Sequence, residues 1–253
     1  LSELRVRVRA AIVPHAPVLL PQLASSETLG AAANVGSAVG EIDLGDPDVV
    51  VLVTPHGVDS GVYREVAGSL DALGPQGVHV RHAGAAEEAE ALARGWGRPR
   101  LDGPLDHGGV VPLVVGAAEG VAVVAAALRD VVASDGAGLD GVLDESRMLA
   151  DAVRALARDR KLALVCSAHS SAALSPRAPL TERAEARAVD DRLLDALRSD
   201  AGALGALARR LWADGGACGV GPLAVFGHVC AGRSAEVLCY ERPLGIGYLV
   251  ACA

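Results

Sequence analysis

Three short apolar runs punctuate the chain, and each ends in a turn that carries a histidine. The first extends from Val6 to Val13 and closes in Pro14-His15-Ala16-Pro17. The second, Val49-Val50-Val51-Leu52-Val53, opens after the turn residues Asp46-Pro47-Asp48 and closes in Thr54-Pro55-His56-Gly57. The third, Leu162-Ala163-Leu164-Val165, closes in Cys166-Ser167-Ala168-His169-Ser170-Ser171. Short apolar runs without polar alternation predict strands buried on both faces, the habit of parallel sheets. Upstream, Arg5, Arg7 and Arg9 alternate with Val6 and Val8, which is strand patterning rather than the order of a signal peptide.

Helical spacing fills much of the remainder. Leu149, Val153 and Leu156 predict a helix over Met148–Arg158, with Asp144 and Glu145 suited to its start. Val189, Leu193, Leu194 and Leu197 predict another over Glu182–Leu197, followed by a short one over Ala201–Trp212. Glu236–Tyr240 and Ile246–Cys252 read as two closing strands joined by Arg242-Pro243-Leu244-Gly245. Strands alternating with helices imply an α/β layered domain, with a central mostly parallel β-sheet flanked by helices, and residues 1–253 form one unit. Such sheets bind ligands beyond the carboxyl ends of their strands. His15, His56 and His169 are therefore expected to converge there.

Composition narrows the function classes. With 51% hydrophobic residues the chain is too apolar to be disordered. Its longest apolar stretch, Val110 to Leu128, is broken by Pro112, Gly116, Glu119 and Gly120, short of the roughly 20 apolar residues a membrane span needs. A net charge of −8 leaves no basic face, which argues against binding a phosphate backbone. Neither nucleic acid nor membrane is expected as a partner. The five cysteines, Cys166, Cys218, Cys230, Cys239 and Cys252, form no Cys-x-x-Cys pair, and an odd count suits reduced thiols in the cytoplasm.

Imidazole both coordinates metals and titrates near neutrality, so His15, His56 and His169 are candidate ligands or acid/base groups. Pro14 and Pro55 stiffen the backbone that presents the first two. His107 lies in Leu105-Asp106-His107-Gly108-Gly109, where Asp106 could orient an imidazole, although a polar turn is the plainer reading. Cys218 stands in Gly215-Gly216-Ala217-Cys218-Gly219, ahead of the apolar segment Val220–Val229. A helix N-terminus there would favour its thiolate; the alternative is a small buried hydrophobe. His79, His82 and His228 carry no supporting pattern. Ser167, Ser170 and Ser171 flank His169 without a Gly-x-Ser-x-Gly elbow, and no Gly-x-Gly-x-x-Gly or Walker loop follows a strand.

Taken in order, Val13-Pro14-His15-Ala16-Pro17, Thr54-Pro55-His56-Gly57, Asp106-His107-Gly108 with Pro112-Leu113, Ser167-Ala168-His169-Ser170 and Gly247-Tyr248 span nearly the whole chain. In that order the sequence resembles the catalytic B subunit of class III extradiol ring-cleavage dioxygenases and the related Memo-like proteins. The resemblance implies an Fe(II) centre at which a catechol-like aromatic substrate and O₂ meet. It implies His15 and His56 as metal ligands, His169 as the acid/base group and His107 as a further active-site histidine. The glutamate that dioxygenases use as third ligand has no clear counterpart. Ala217-Cys218-Gly219 with Pro222-Leu223 resembles the Memo-like stretch in which cysteine takes that place, ahead of Glu236 and Glu241 as carboxylate alternatives. A thiolate would also suit copper or zinc, and a Memo-like metal-binding or redox protein without ring cleavage is the second expectation. Some relatives act as homodimers or with a small accessory subunit.

Overall fold

The computed structural model describes residues 8–74 and 77–253, so the expected strand positions from Arg5 to Arg7 lie outside the described residues. Strand β1 (Arg9–Val13) leads through α1 (Ser26–Ala31) and α2 (Ala33–Gly40) to β2 (Val49–Gly57). Three short strands follow: β3 (Gly61–Tyr63), β4 (Ala67–Ser69) and β5 (His79–Arg81). Next come α3 (Ala86–Trp96), β6 (Arg100–Leu101), α4 (His107–Val114), β7 (Ala122–Arg129), α5 (Leu139–Leu156) and β8 (Leu162–Ser167). Helices α6 (Ala186–Ser199), α7 (Leu204–Gly215) and α8 (Val220–Val229) precede the closing pair β9 (Glu236–Glu241) and β10 (Tyr248–Cys252).

Eight strands form one mostly parallel sheet in the order β6-β3-β7-β2-β8-β1-β10-β9, and β4 pairs with β5 separately. The central strands β7, β2, β8 and β1 are mutually parallel. Successive side chains of a strand point to opposite faces. Accordingly Val49, Val51 and Val53 enter one core with α3 and α5 to α8, while Val50 and Leu52 enter another with α2 and α4. Both faces are covered, which is why these runs lack polar alternation. No helix among the described residues is long and apolar enough to cross a membrane.

Several boundaries differ from expectation, that of α6 among them, which spans Ala186–Ser199 rather than starting at Glu182. Helix α5 starts at Leu139, after Gly138 in the left-handed region (φ 84°), because its buried stripe extends back through Val142 and Ser146. Asp144 and Glu145 thus lie inside the helix, where Glu145 accepts hydrogen bonds from Ser60 and Arg98. The segment Ala201–Trp212 divides into a 3-10 turn, Ala201–Ala203, and α7, because the Asp200 carboxylate accepts from the Gly202 N–H and begins the turn separately.

Candidate metal centre

The four parallel central strands each end beside the same point. Beyond β1 stands His15, near the end of β2 His56, beyond β8 His169, and beyond β7 Asp130. Two helices add a residue from opposite layers. His107 is the first residue of α4, and Cys218 precedes α8 by two positions. His15 is 1% exposed and His169 8% exposed, so these imidazoles lie inside the protein rather than on a solvated loop.

Hydrogen bonds decide which nitrogen His15 and His56 present to the cluster. Pro112 lies inside α4 and has no N–H to give the Gly108 carbonyl, four residues earlier. That freed carbonyl accepts instead from the Ser167 hydroxyl at 2.5 Å. With its proton committed, Ser167 Oγ accepts from His15 Nδ1 at 3.0 Å, which leaves the Nε2 lone pair of His15 pointing inward. His56 Nδ1 donates to the Asp130 carboxylate at 3.1 Å, so its Nε2 faces the same point. Asp130 is itself held by the N–H groups of Val132 and Ala133.

The two Nε2 atoms are 3.2 Å apart, and Cys218 Sγ lies 3.5 Å from His15 Nε2 and 3.7 Å from His169 Nδ1. Donors bound tetrahedrally at the usual lengths for zinc stand about 3.3 Å apart for two nitrogens and about 3.6 Å for nitrogen and sulfur. The residues present therefore fit a metal ion. Two overlapping sets of donors each lie within 4.8 Å of one another: His15 with His56 and His107, and His15 with His169 and Cys218. The rings are tightly grouped, with His56 stacked on His107 at 4.5 Å and His15 tilted against His169 at 3.9 Å between centroids.

The electrostatics follow from this crowding. Burial, reinforced by the neighbouring His169, lowers the pKa of His15 to about 3. Burial also works against charge on His56, but Asp130, Cys218 and Asp106 outweigh it and push its pKa up to about 10. For Cys218, burial disfavours the thiolate, yet His15 and hydrogen bonds from His15, His169 and His56 outweigh that and hold the thiol well below its ordinary range. His107 is lowered by burial and then by the charge of His56.

Backbone packing leaves no room for larger residues around these groups. A Cβ on Gly108 would overlap the Thr54 hydroxyl and crowd His56, and one on Gly219 would sit 2.8 Å from the His169 carbonyl oxygen. Asp106, which could have oriented an imidazole, caps α4: it accepts from Gly109 N at 3.1 Å and from Thr54 Oγ1 at 3.2 Å. The carboxylate alternatives are corrected. Glu236 pairs with Cys252 at the opposite end of the sheet, and Glu241 is held by Asn34 at 2.6 Å, two strands out from β1. Neither joins a donor set. His79, His82 and His228 also lie outside both sets. The remaining cysteines are free, with Cys166 and Cys230 buried as small hydrophobes.

Three residues were not foreseen in these roles. Asp130 is the first acidic group after the buried run of β7, the position from which the other strands deliver histidines. Ser167 acts through its hydroxyl on His15 and is not a nucleophile. Asp190 of α6 is fully buried and accepts from Ser170 Oγ, Ser171 N, Ser171 Oγ and Tyr240 OH, fixing the segment that follows His169. A carboxylate beside Val189 and one turn before Leu193 and Leu194 was the available signal.

Fold and site together define an α/β protein with a mostly parallel sheet and a histidine–cysteine cluster, capable of holding a metal, at the strand ends. No family model matches the chain, and no curated protein matches it. Among solved structures it is similar to the crystal structure of uncharacterized protein JW3007 from Escherichia coli K12, with a TM-score of 0.58 and 14% identity over 97% of this chain and 99% of that one. At that identity the likeness is one of fold.

Proposed function

We propose that the chain is a non-haem metal-dependent oxidoreductase of the extradiol dioxygenase type, acting on a catechol-like aromatic compound with O₂. The observation that carries this reading is the pair of Nε2 atoms 3.2 Å apart, each imidazole tied back through Nδ1, with Cys218 Sγ beside them. His15, His56 and Cys218 would hold the metal. Fe(II) bound there would supply Lewis acidity and redox capacity, with open positions for two reactants. His169 Nε2 is buried without a hydrogen-bond partner, so it can exchange a proton with a substrate hydroxyl. The Tyr248 ring, 5.3 Å from His169 between centroids, backs that imidazole. His107, whose pKa is depressed, offers a neutral ring to the second reactant. Free thiols throughout the cysteine set agree with a reducing, cytoplasmic setting.

A second reading is a Memo-like metal-binding or redox protein without ring cleavage, favoured by a thiolate where a carboxylate would suit Fe(II). Oxygen uptake by Fe(II)-loaded protein across a panel of catechols separates the two. Substrate-dependent uptake that is lost in His169→Gln supports the first. A flat trace from metal-replete protein throughout the panel abandons ring cleavage and leaves the second.

A further inference from the structure

Two of the site histidines are aimed by an oxygen hydrogen-bonded to Nδ1, His15 by Ser167 at 3.0 Å and His56 by Asp130 at 3.1 Å. His169 has no such tether among the described residues. Its Nε2 is buried without a hydrogen-bond partner, and its Nδ1 meets the Cys218 sulfur at 3.7 Å. The aim of that ring therefore depends on the backbone that carries it, and this backbone is gathered on one side chain. Asp190 of α6 is fully buried. Through Oδ1 it accepts from Ser171 N at 3.1 Å and Ser171 Oγ at 2.6 Å. Through Oδ2 it accepts from Ser170 Oγ at 3.1 Å and from the Tyr240 hydroxyl of β9. The two serines it holds follow His169 directly.

The neighbours of His169 are drawn into the same knot. Ser170 N donates to the Gly247 carbonyl at 3.0 Å, and Gly247 N donates to the Ser171 carbonyl at 2.7 Å. A Cβ on Gly247 would overlap Ser170 Oγ and stand 2.8 Å from Asp190 Oδ2, so the residue before Tyr248 fits only as glycine. Tyr248, whose ring backs His169, is thereby set down by the same contacts. Ala172 N donates to the Gly215 carbonyl at 2.9 Å, and Gly215 packs against Ser171 Oγ, which ties in the turn leading to Cys218. We infer that Asp190 is a positioning residue for the proposed reaction, its carboxylate acting through Ser170 and Ser171 to set where His169 Nε2 points. Asp190 belongs to neither donor set, so it acts through that segment. The inference rests on the acid/base role given to His169 above. The contacts also say which replacement works. In asparagine, Oδ1 keeps both Ser171 contacts, and Nδ2 donates to Ser170 Oγ, whose proton turns to the Gly247 carbonyl 3.2 Å away. Alanine keeps none of these contacts.

The test uses the whole chain in two arms. In the first, the imidazole nitrogen resonances of metal-free protein are recorded with isotope-labelled histidine, and those of His169 are identified by their loss in His169→Gln. Wild type should hold His169 in one tautomer. Asp190→Ala should shift or broaden the His169 signals while those of His15 and His56 stay in place, and Asp190→Asn should restore them. The second arm is oxygen uptake by Fe(II)-loaded protein with catechol. Asp190→Ala should lower kcat by about 10–100-fold, the cost of a displaced reacting group, with KM within about twofold. Asp190→Asn should recover kcat to within about threefold of wild type. Tyr240→Phe removes one donor to Asp190 and keeps the ring packed, so it carries both readouts if Asp190→Ala does not fold; a shifted His169 signal with kcat lowered about threefold or more is expected. Unmoved His169 signals in the folded variants, a change in KM alone, or a kcat loss that Asp190→Asn fails to recover would overturn the inference and leave Asp190 a purely structural residue. Wild-type protein that takes up no oxygen with catechol or its substituted relatives overturns the ring-cleavage reading instead, and the metal-free resonances then decide the role of Asp190 by themselves.

Discussion

His15 and His56 differ in charge although their Nε2 atoms touch, and that difference sets how the centre responds to pH. His15, lowered to about 3, is neutral throughout the physiological range, whereas His56, raised to about 10 by Asp130, Cys218 and Asp106 against the pull of burial, carries a proton. The Cys218 thiol is held well below its ordinary range by His15 and the surrounding imidazoles. A metal that takes His56 Nε2 must displace one proton, while His15 has none to lose. Co(II) binding through His56 Nε2 should therefore release about one proton per ion, and affinity should rise about tenfold per pH unit between pH 6 and 9. The sign is fixed: acid keeps His56 protonated and weakens binding. Proton release measured in weakly buffered solution checks this, and an affinity flat across that range would refute the charge assignment. Three of the site histidines could be read from the chain because each follows an apolar run. Asp130 and Ser167 could not, since an acid just past a strand or a hydroxyl at a strand's last position has no distinguishing spacing until its partner is placed.

Helix α4 contains a defect that serves the site. Proline inside a helix costs about 3 kcal/mol relative to alanine, yet Pro112 frees the Gly108 carbonyl for Ser167 and through it fixes His15. In Pro112→Ala the restored N–H competes for that carbonyl. We expect stability to change by no more than about 1 kcal/mol, the regained bond offsetting lost ring packing, while metal affinity falls about tenfold. Ser167→Ala should lower affinity similarly, and the double variant should be no worse than either single, as for residues acting through one chain of contacts. Additive losses would show that Pro112 acts elsewhere. The proline was legible as part of a motif, but its partner lay on a distant strand. In α6, Asp190→Ala would leave the Ser171 N–H and the Tyr240 hydroxyl unpaired, because Ser170 and Ser171 can turn to the Gly247 and Ala186 carbonyls. A buried amide and a half-buried hydroxyl left without partners cost about 2–4 kcal/mol, to be read from a denaturant midpoint. A loss below about 1 kcal/mol would mean the segment after His169 is held by other contacts.

The sheet makes the centre a junction of the whole molecule rather than a local pocket. Alternate residues of the central strands commit the chain to two cores, visible beforehand as runs without polar alternation, and this made the layered architecture and the convergence of histidines legible. The sequence pattern does not specify strand order, so it could not show that β7, β2, β8 and β1 are neighbours, or that Glu236 would fall at the far end of the sheet. Five chain segments meet at His15, His56, His107, His169 and Cys218, drawn from the sheet and from both helical layers. An ion bound there ties those segments together in the folded state, whereas the unfolded chain holds them apart. By mass action, metal at 100 times its dissociation constant adds about 2.7 kcal/mol. For a chain of 253 residues that corresponds to a rise of roughly 5–10 °C in the thermal midpoint. The rise should be reversed by a chelator and absent in His15→Ala, which removes the one donor common to both sets. A scan with and without metal on these proteins decides the matter: a shift that survives His15→Ala would place the ion somewhere other than the strand-end cluster.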